Sequence, residues 1–76
     1  MSKKLSQFNI GESGRIVSVN SEALKLALLG LGLAQGVHFT LTNRAPMGDP
    51  IAVRISGTKV AIRKAQAELI TAEPDA

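Results

Sequence analysis

The chain has 76 residues, no cysteine, and a formal net charge of +3 from nine basic and six acidic side chains. At this length we expect one domain with a thin core, because such a chain buries only about 60% of the surface that its unfolded form exposes. Without cysteine, disulfide bridges and thiolate zinc sites are excluded. The longest apolar stretch, residues 27–34, is too short to cross a membrane, and no apolar run follows the N-terminal lysines. We therefore expect a soluble protein without a secretory signal, and the absence of cysteine suits a reducing cytosol.

The first two predicted elements are a strand over residues 14–19 and a helix over residues 20–30. Asn20 or Ser21 is suited to the helix N-cap, because its side-chain oxygen can accept a free backbone N–H of the first turn. Gly30 and Gly32 are stop signals, since glycine adopts the left-handed conformation that ends a helix without strain.

Alternation of apolar and polar residues predicts three half-buried strands after the helix, over residues 36–43, 50–57 and 58–64. Successive side chains of a strand point to opposite faces, so Val37, Phe39 and Leu41 share one face of the first of these strands. The β-branched content of the other two agrees with this assignment.

The remaining apolar pair, Leu69 and Ile70, predicts a short closing strand over residues 68–72, after a single helical turn within residues 63–69. This order of elements predicts an all-β fold, an SH3-like, five-stranded, partly open barrel with one α-helix after the first strand. An OB-like barrel is the alternative, but its helix usually lies between the third and fourth strands. We expect a single domain over residues 1–76, with mobile tails at residues 1–4 and 73–76.

The helix carries more leucine than a core face needs. At about 100° per residue, Leu24, Leu28 and Leu31 form one stripe, which is the expected core face. Leu26 and Leu29 point nearly the opposite way. Either the helix lies in a groove that buries both sides, or Gly30 redirects Leu29, or the pair forms an exposed apolar patch for a protein partner. Leu33 and Met47, in the neighbouring loops, can extend such a patch.

The segment Ala-Pro-Met-Gly-Asp-Pro at residues 45–50 joins two predicted strands and reads first as a rigid corner. Pro46 fixes φ, Gly48 can adopt a positive φ, and Asp49 can bond the backbone of its own loop. Pro50 lacks an N–H at the first position of a strand, where that loss is tolerated. Met47 has no role in turn chemistry, and it is the loop residue that would touch a partner.

Few residues suggest chemistry. His38 is the only histidine, and it lies on the outward face of a predicted strand. No pair formed by His38 and the carboxylates has the spacing of a built metal site, and no phosphate-binding loop is present. We therefore expect no catalytic residue, no cofactor and no intramolecular metal site, with His38 the one candidate donor for a transient or dimer-bridging metal. Nucleic-acid binding is not favoured, because two Phe and no Tyr or Trp offer little for bases to stack on.

These elements resemble the ferrous-iron transport protein A (FeoA) family over residues 5–72. The resemblance lies in a Leu-Gly-x-x-x-Gly element, here Leu31, Gly32 and Gly36, and in the Ala-Pro-x-Gly-Asp-Pro loop, here Ala45, Pro46, Gly48, Asp49 and Pro50. Gln35 departs from the family pattern, which often has Pro before this glycine. The module is also similar to the C-terminal SH3-like domain of iron-dependent repressors, although this chain has no room for a DNA-binding domain.

The resemblance implies a small cytoplasmic SH3-like protein that accompanies FeoB, a membrane ferrous-iron transporter with a cytosolic G-protein domain, and that acts on it by protein contact. Our hypothesis is that Leu26, Leu29, Leu33 and Met47 form the docking surface. The competing hypothesis is a stand-alone module that binds or senses Fe²⁺ or another divalent metal through His38. An RNA-binding small barrel is a third and weaker alternative.

Overall fold

Six antiparallel strands, one eight-residue helix and two short helical turns make up the fold in the computed structural model, which describes residues 1–75. In chain order the elements are β1 (Lys3–Lys4), a 3-10 turn (Leu5–Gln7), β2 (Ser13–Val19), α1 (Glu22–Leu29), β3 (His38–Arg44), β4 (Ile51–Ile55), β5 (Thr58–Ile62), α2 (Lys64–Ala67) and β6 (Ile70–Pro74). The strands form one sheet in the order β1-β6-β2-β3-β4-β5, with β1 and β5 at its edges. The predicted mostly-β, partly open barrel with one main helix is confirmed, with a sixth strand added.

Residues 3–4 and 73–74 lie in strands where the sequence predicted tails, and the part of that prediction that falls on residue 76 lies outside the described residues. Lys3 and Lys4 pair with Ala72 and Thr71, so β1 lies beside β6. Strand β6 continues through residues 73 and 74, and the following backbone N–H, at Asp75, donates to Ser13 at 3.0 Å. The prediction of tails was therefore wrong for these residues. It rested on local composition, whereas a two-residue strand depends on the partner strand that receives it.

The predicted strands after the helix are confirmed as β3, β4 and β5. Their alternating apolar residues are buried, and the helix is capped by Ser21 Oγ, which accepts from the Leu24 N–H at 3.2 Å. The closing strand begins two residues later than predicted, at Ile70, because Leu69 lies in the turn that follows α2. There the carbonyl oxygen of Leu69 accepts from Asn20 N–H at 2.7 Å.

The core is a single apolar cluster inside the curved sheet. At its centre the rings of Phe8 and Phe39 pack at 5.1 Å between centroids and at 57° to one another. None of the buried residues within positions 1–75 is polar or charged. Helix α1 contributes only two side chains to this core, Leu24 and Leu28. The helix therefore covers one side of the barrel, and most of its own surface is exposed to solvent. Within residues 1–75, no helix combines the length and the apolar character needed to span a lipid bilayer.

Strand β2 pairs with β3 over only part of its length. Its first three residues, Ser13 to Arg15, pair with β3, whereas its pairing with β6 continues to Val19. The register with β6 shifts at Val17, which is typical of a β-bulge, and bulges increase strand twist. Beyond Ile16 the side of β2 that faced β3 is no longer paired with it, and α1 approaches the barrel there.

At Gly14 the backbone of β2 lies close to its neighbours. A Cβ at this glycine would overlap the carbonyl oxygen of Glu73 and lie 3.0 Å from Cε2 of Phe8. The backbone of β6 and the aromatic core both restrict this space, so neither contact is the flexible end of a side chain.

We predict that Gly14→Ala lowers the free energy of unfolding by about 1–3 kcal/mol, because the extra methyl group forces β2 away from β6 or from Phe8. Gly30→Ala is the matched control. Its φ of −66° is helical and the nearest atom to its new Cβ lies at 3.6 Å, so we expect a gain of about 0.5–1 kcal/mol. Urea unfolding of both variants checks this, and equal stability of Gly14→Ala and the wild type would contradict the close approach.

A small polar cluster attaches the N-terminal segment to the loop before β2. Glu12 accepts the Asn9 N–H at 2.9 Å, and its two carboxylate oxygens lie 3.0 and 2.9 Å from Lys3 Nζ. The Asn9 N–H, and after it the Lys3 ammonium, lower the pKa of Glu12 below its ordinary value of 4.5. Lys3 also lies 4.7 Å from the centre of the Phe8 ring. Since the folded state favours the charged carboxylate, this cluster stabilises the fold above the unfolded pKa and loses that contribution as pH falls through the folded pKa.

We predict that Glu12→Gln lowers the melting temperature at pH 7, and that its difference from the wild type shrinks as the pH falls below about 4.5. Glutamine can still accept the Asn9 N–H, so the substitution isolates the charge. Lys3→Met keeps an aliphatic stem and removes the cation, and it should reproduce part of the effect. Thermal melts from pH 7 to pH 3 measure both variants. A Glu12→Gln difference of the same size at both ends of the range would show that the carboxylate charge is not involved.

Candidate docking groove

A groove of about 270 Å³ lies between α1 and the second half of β2. Leu26 and Leu29 form its helical wall, and Val17 and Val19 form the opposite wall. The two leucines keep 68% and 59% of their surface exposed, so the part of the chain that the structure describes leaves them largely uncovered. The remaining lining residues are Ser18, Glu22, Lys25, Leu33, Ala34 and Gln35. The groove is therefore apolar between its walls and carries one cation and one carboxylate on the helix.

Of the four residues in the predicted docking surface, Leu33 is not exposed. It is 2% exposed and belongs to the core cluster, so the prediction that it extends the surface patch was wrong. It lines the groove from below.

The cause is the way the helix ends. The Leu33 N–H donates to the Leu28 carbonyl at 2.9 Å and the Gly32 N–H donates to the Leu29 carbonyl at 3.1 Å, which is the bonding pattern of a Schellman motif. Gly32 has a φ of +90°, and this reverses the chain and directs Leu33 onto Leu28.

The same reversal leaves Leu31 outside. The 100° spacing placed Leu31 on the core stripe with Leu24 and Leu28, but it is 53% exposed, so that prediction was also wrong. The helix ends at Leu29, and the periodicity no longer applies two residues later. Leu33 takes the core position in place of Leu31.

Met47 lies at the tip of the loop between β3 and β4, is 92% exposed, and is not among the residues that line the groove. Two hydrogen bonds close the loop beneath it. Ala45 donates to the Pro50 carbonyl at 3.0 Å, and Gly48, with a φ of +85°, donates to the Ala45 carbonyl at 2.7 Å. Pro46 lies inside the turn that these bonds define. Met47 is therefore held outward, as a contact point separate from the groove.

Asp49 has a different role from the one predicted. Its Oδ1 accepts the Lys64 N–H at 2.9 Å, at the start of α2, and lies 3.9 Å from Arg63 Nη1. The carboxylate therefore connects the β3–β4 loop to the short helix, 15 residues further along the chain, where the sequence predicted a bond within its own loop.

Gly36 forms the corner between α1 and β3. Its φ is +86°, its N–H donates to Ile16 at 2.7 Å, and its carbonyl accepts from Arg15 Nη1 at 3.1 Å. Together with Gly32, it shapes the connection that closes the end of the groove. These motif positions have a structural role in the fold.

His38 is exposed at the start of β3, and its Nε2 lies 2.8 Å from Asp75 Oδ2. The structure joins it to a carboxylate near the chain end that the sequence did not place beside it. Within residues 1–75, no group of three or more His, Asp or Glu side chains is arranged to hold a metal ion. His38 and Asp75 thus supply two donor side chains on an open surface.

The sequence analysis missed the second wall of the groove. Val17 and Val19 are two residues apart in a predicted strand, and this spacing placed them on one face. That signal could have identified them as partners for the surplus leucines of the helix. It could not show that β3 begins only at His38, so that the second half of β2 has no β3 partner and lies beside the helix.

The model of the FeoA domain matches residues 3–74 of the chain. The solution structure of the FeoA protein from Chlorobium tepidum is 36% identical with a TM-score of 0.91, over 97% of this chain and 71% of that one. FeoA from Stenotrophomonas maltophilia complexed with zinc is 24% identical with a TM-score of 0.79, over 93% of this chain and 89% of that one. That protein is described as a procaryotic SH3 domain protein that is a proposed ferrous iron transport activating factor. IdeR from T. acidophilum is 17% identical with a TM-score of 0.86, over 97% of this chain and 34% of that one, and shares the fold. A comparison with curated proteins finds no matching sequence. The predicted SH3-like fold and both predicted resemblances are confirmed.

We predict that Leu33→Ala lowers the free energy of unfolding by about 2–5 kcal/mol, because it leaves a cavity against Leu28 under the groove. Leu31→Ala removes the same atoms from an exposed position and should change stability by no more than about 0.5 kcal/mol. Chemical denaturation of the two variants distinguishes the chain reversal at Gly32 from a helix that continues through Leu31. Equal losses in both variants would be incompatible with the reversal.

Proposed function

The chain belongs to the FeoA family, and we propose that it is a cytoplasmic accessory protein of ferrous iron transport that acts by contact with a FeoB-type membrane transporter. We propose that this protein makes the contact through the groove between α1 and β2, and that it docks on the cytosolic side of the transporter. The observation that carries the proposal is the pair Leu26 and Leu29, which face an apolar wall formed by Val17 and Val19 without covering it.

The cost of leaving these leucines in water supports a binding role. Full burial of a leucine side chain stabilises by about 1.5–3 kcal/mol, and this protein leaves both exposed on α1, the longest helix within residues 1–75. Polar residues at the same two positions would keep Leu24 and Leu28 in the core. The exposed pair therefore contributes little to folding and is available to stabilise a complex.

The groove also indicates the chemistry of the partner. Its volume of about 270 Å³ accommodates a few aliphatic side chains, and Leu33 closes it from below. Lys25 and Glu22 stand on the helix beside the apolar walls, one turn apart or less. A transporter segment with an apolar face and flanking charges of both signs fits this arrangement. Because the contact needs no reacting group, the role that we propose is regulatory or structural.

Met47 is a second candidate contact. The loop holds its side chain outward, and methionine adapts to irregular apolar partners. Since Met47 does not line the groove, its substitution tests an independent part of the interface.

We predict that the double variant Leu26→Glu and Leu29→Glu loses association with the transporter by about tenfold or more, because two carboxylates replace the apolar wall that a partner would desolvate. The measurement is recovery of the transporter from membranes with this protein as bait, together with uptake of ferrous iron by cells that carry the variant.

The matched control is Ile10→Glu with Leu31→Glu. Both residues are exposed, at 62% and 53%, and neither lines the groove, so the control makes the same change of charge and apolarity elsewhere. Thermal melts must show both double variants folded. If the groove variant retained association and uptake, or if the control lost them equally, the groove would not be the docking site.

A further inference from the structure

The positive charge of the protein is concentrated in one segment. Residues 51–64 carry four basic side chains and no acidic one, whereas the other 62 residues carry five basic and six acidic side chains. The net charge of +3 therefore comes from the β4–β5 hairpin and the first residues that follow it.

Two of these cations face each other across the hairpin. Arg54 pairs directly with Lys59, and both are exposed on the outer face of the sheet. Like charges at directly opposed positions are about 5 Å apart at Cβ and destabilise the pair of strands. Lys59 Nζ donates to Asn43 Oδ1 at 2.9 Å, which orients it without neutralising it. The fold thus keeps Arg54 and Lys59 opposite each other although their repulsion lowers its stability.

The surroundings of the pair extend the positive field along β5. Arg63 follows the strand, is 69% exposed, and has only a distant contact with Asp49 at 3.9 Å. The next outward positions between these cations are Ala52 and Ala61, whose short side chains leave the longer basic ones projecting beyond the sheet. Strand β5 is a sheet edge, so no neighbouring strand screens this side.

We propose that the β4–β5 face binds an anionic phospholipid surface, with Arg54 and Lys59 as its central contacts and Arg63 at its margin. Each Lys or Arg near such a surface strengthens binding by about fivefold, and several cations on one open face can act together on a layer of headgroups. This proposal does not rest on the docking role of the groove, which is formed by α1 and β2.

The form of the face favours a lipid surface over a nucleic acid. Both phenylalanines are buried, with Phe8 and Phe39 at 0% and 1% exposure, so no phenyl ring is available on this face to stack on a base. A layer of headgroups requires only projecting cations. An acidic protein segment is the competing ligand for the β4–β5 face, and the experiment distinguishes it from a lipid surface.

The test is co-sedimentation of the protein with vesicles of phosphatidylcholine that contain about one-third phosphatidylglycerol, at about 0.1 M salt, against vesicles of phosphatidylcholine alone. We expect the wild type to bind only the anionic vesicles. The double variant Arg54→Gln and Lys59→Gln should bind them about ten- to thirtyfold more weakly. It should also remain folded, because the substitutions remove a like-charge pair.

The matched control is Lys4→Gln with Lys25→Gln, which removes two positive charges from exposed positions outside residues 51–64. We expect its vesicle binding to stay within about twofold of the wild type. Equal weakening in both double variants would show that net charge alone governs binding, and would overturn the assignment to this face.

Failure of the wild type to bind anionic vesicles would overturn the proposal. If Arg54→Gln and Lys59→Gln then weakened association with the transporter in detergent, an acidic protein surface would be the occupant. The vesicles contain no transporter, so this outcome is independent of the groove experiment.

Discussion

Strand β2 pairs with β6 on one side and with β3 on the other. The position of the groove depends on where its pairing with β3 ends. The strand pairs with β6 along nearly its whole length but with β3 only over its first three residues. Gly14 allows the close approach to Glu73 and Phe8 that this shared position requires. Beyond Ile16 the strand has no further pairing with β3, which begins at His38, and α1 lies beside this part of β2. The groove is the space between this unpaired side of β2 and a helix with only two core residues.

The backbone conformation at the end of α1 determines which leucine packs in the core beneath the groove and which leucines remain exposed. Gly32 reverses the chain, so Leu33 packs on Leu28 and supports the groove from inside. Leu26 and Leu29 stay on the outer wall because no other residue within positions 1–75 covers them. One glycine with a positive φ thus separates a leucine of the core from the two exposed leucines of the proposed docking surface, and this separation connects the local geometry of a helix cap to the proposed function.

The groove and the basic face are formed by different elements. The groove belongs to α1 and β2, whereas Arg54 and Lys59 belong to the β4–β5 hairpin at the free edge of the sheet. The loop between β3 and β4, tied to α2 through Asp49, holds Met47 outward from the start of that hairpin. A small barrel with no buried polar residue among those described has little internal chemistry to offer. Its surface can carry separate apolar and cationic contacts because the sheet is open at both edges.

Alternation over residues 36–64 was sufficient to predict β3, β4 and β5, since side chains of period two must separate into a buried and an exposed face. Ser21 and Gly32 were recognisable as helix boundaries for the same kind of local reason. Local patterns failed at Leu31 and Leu33, because helical periodicity holds only while the helix continues. They also failed at Lys3, Asp49 and His38, whose partners are Ala72, Lys64 and Asp75, far along the chain. Backbone conformation is thus determined largely by neighbours in sequence. The faces that remain open are determined by contacts between distant segments, and those form only when the sheet closes.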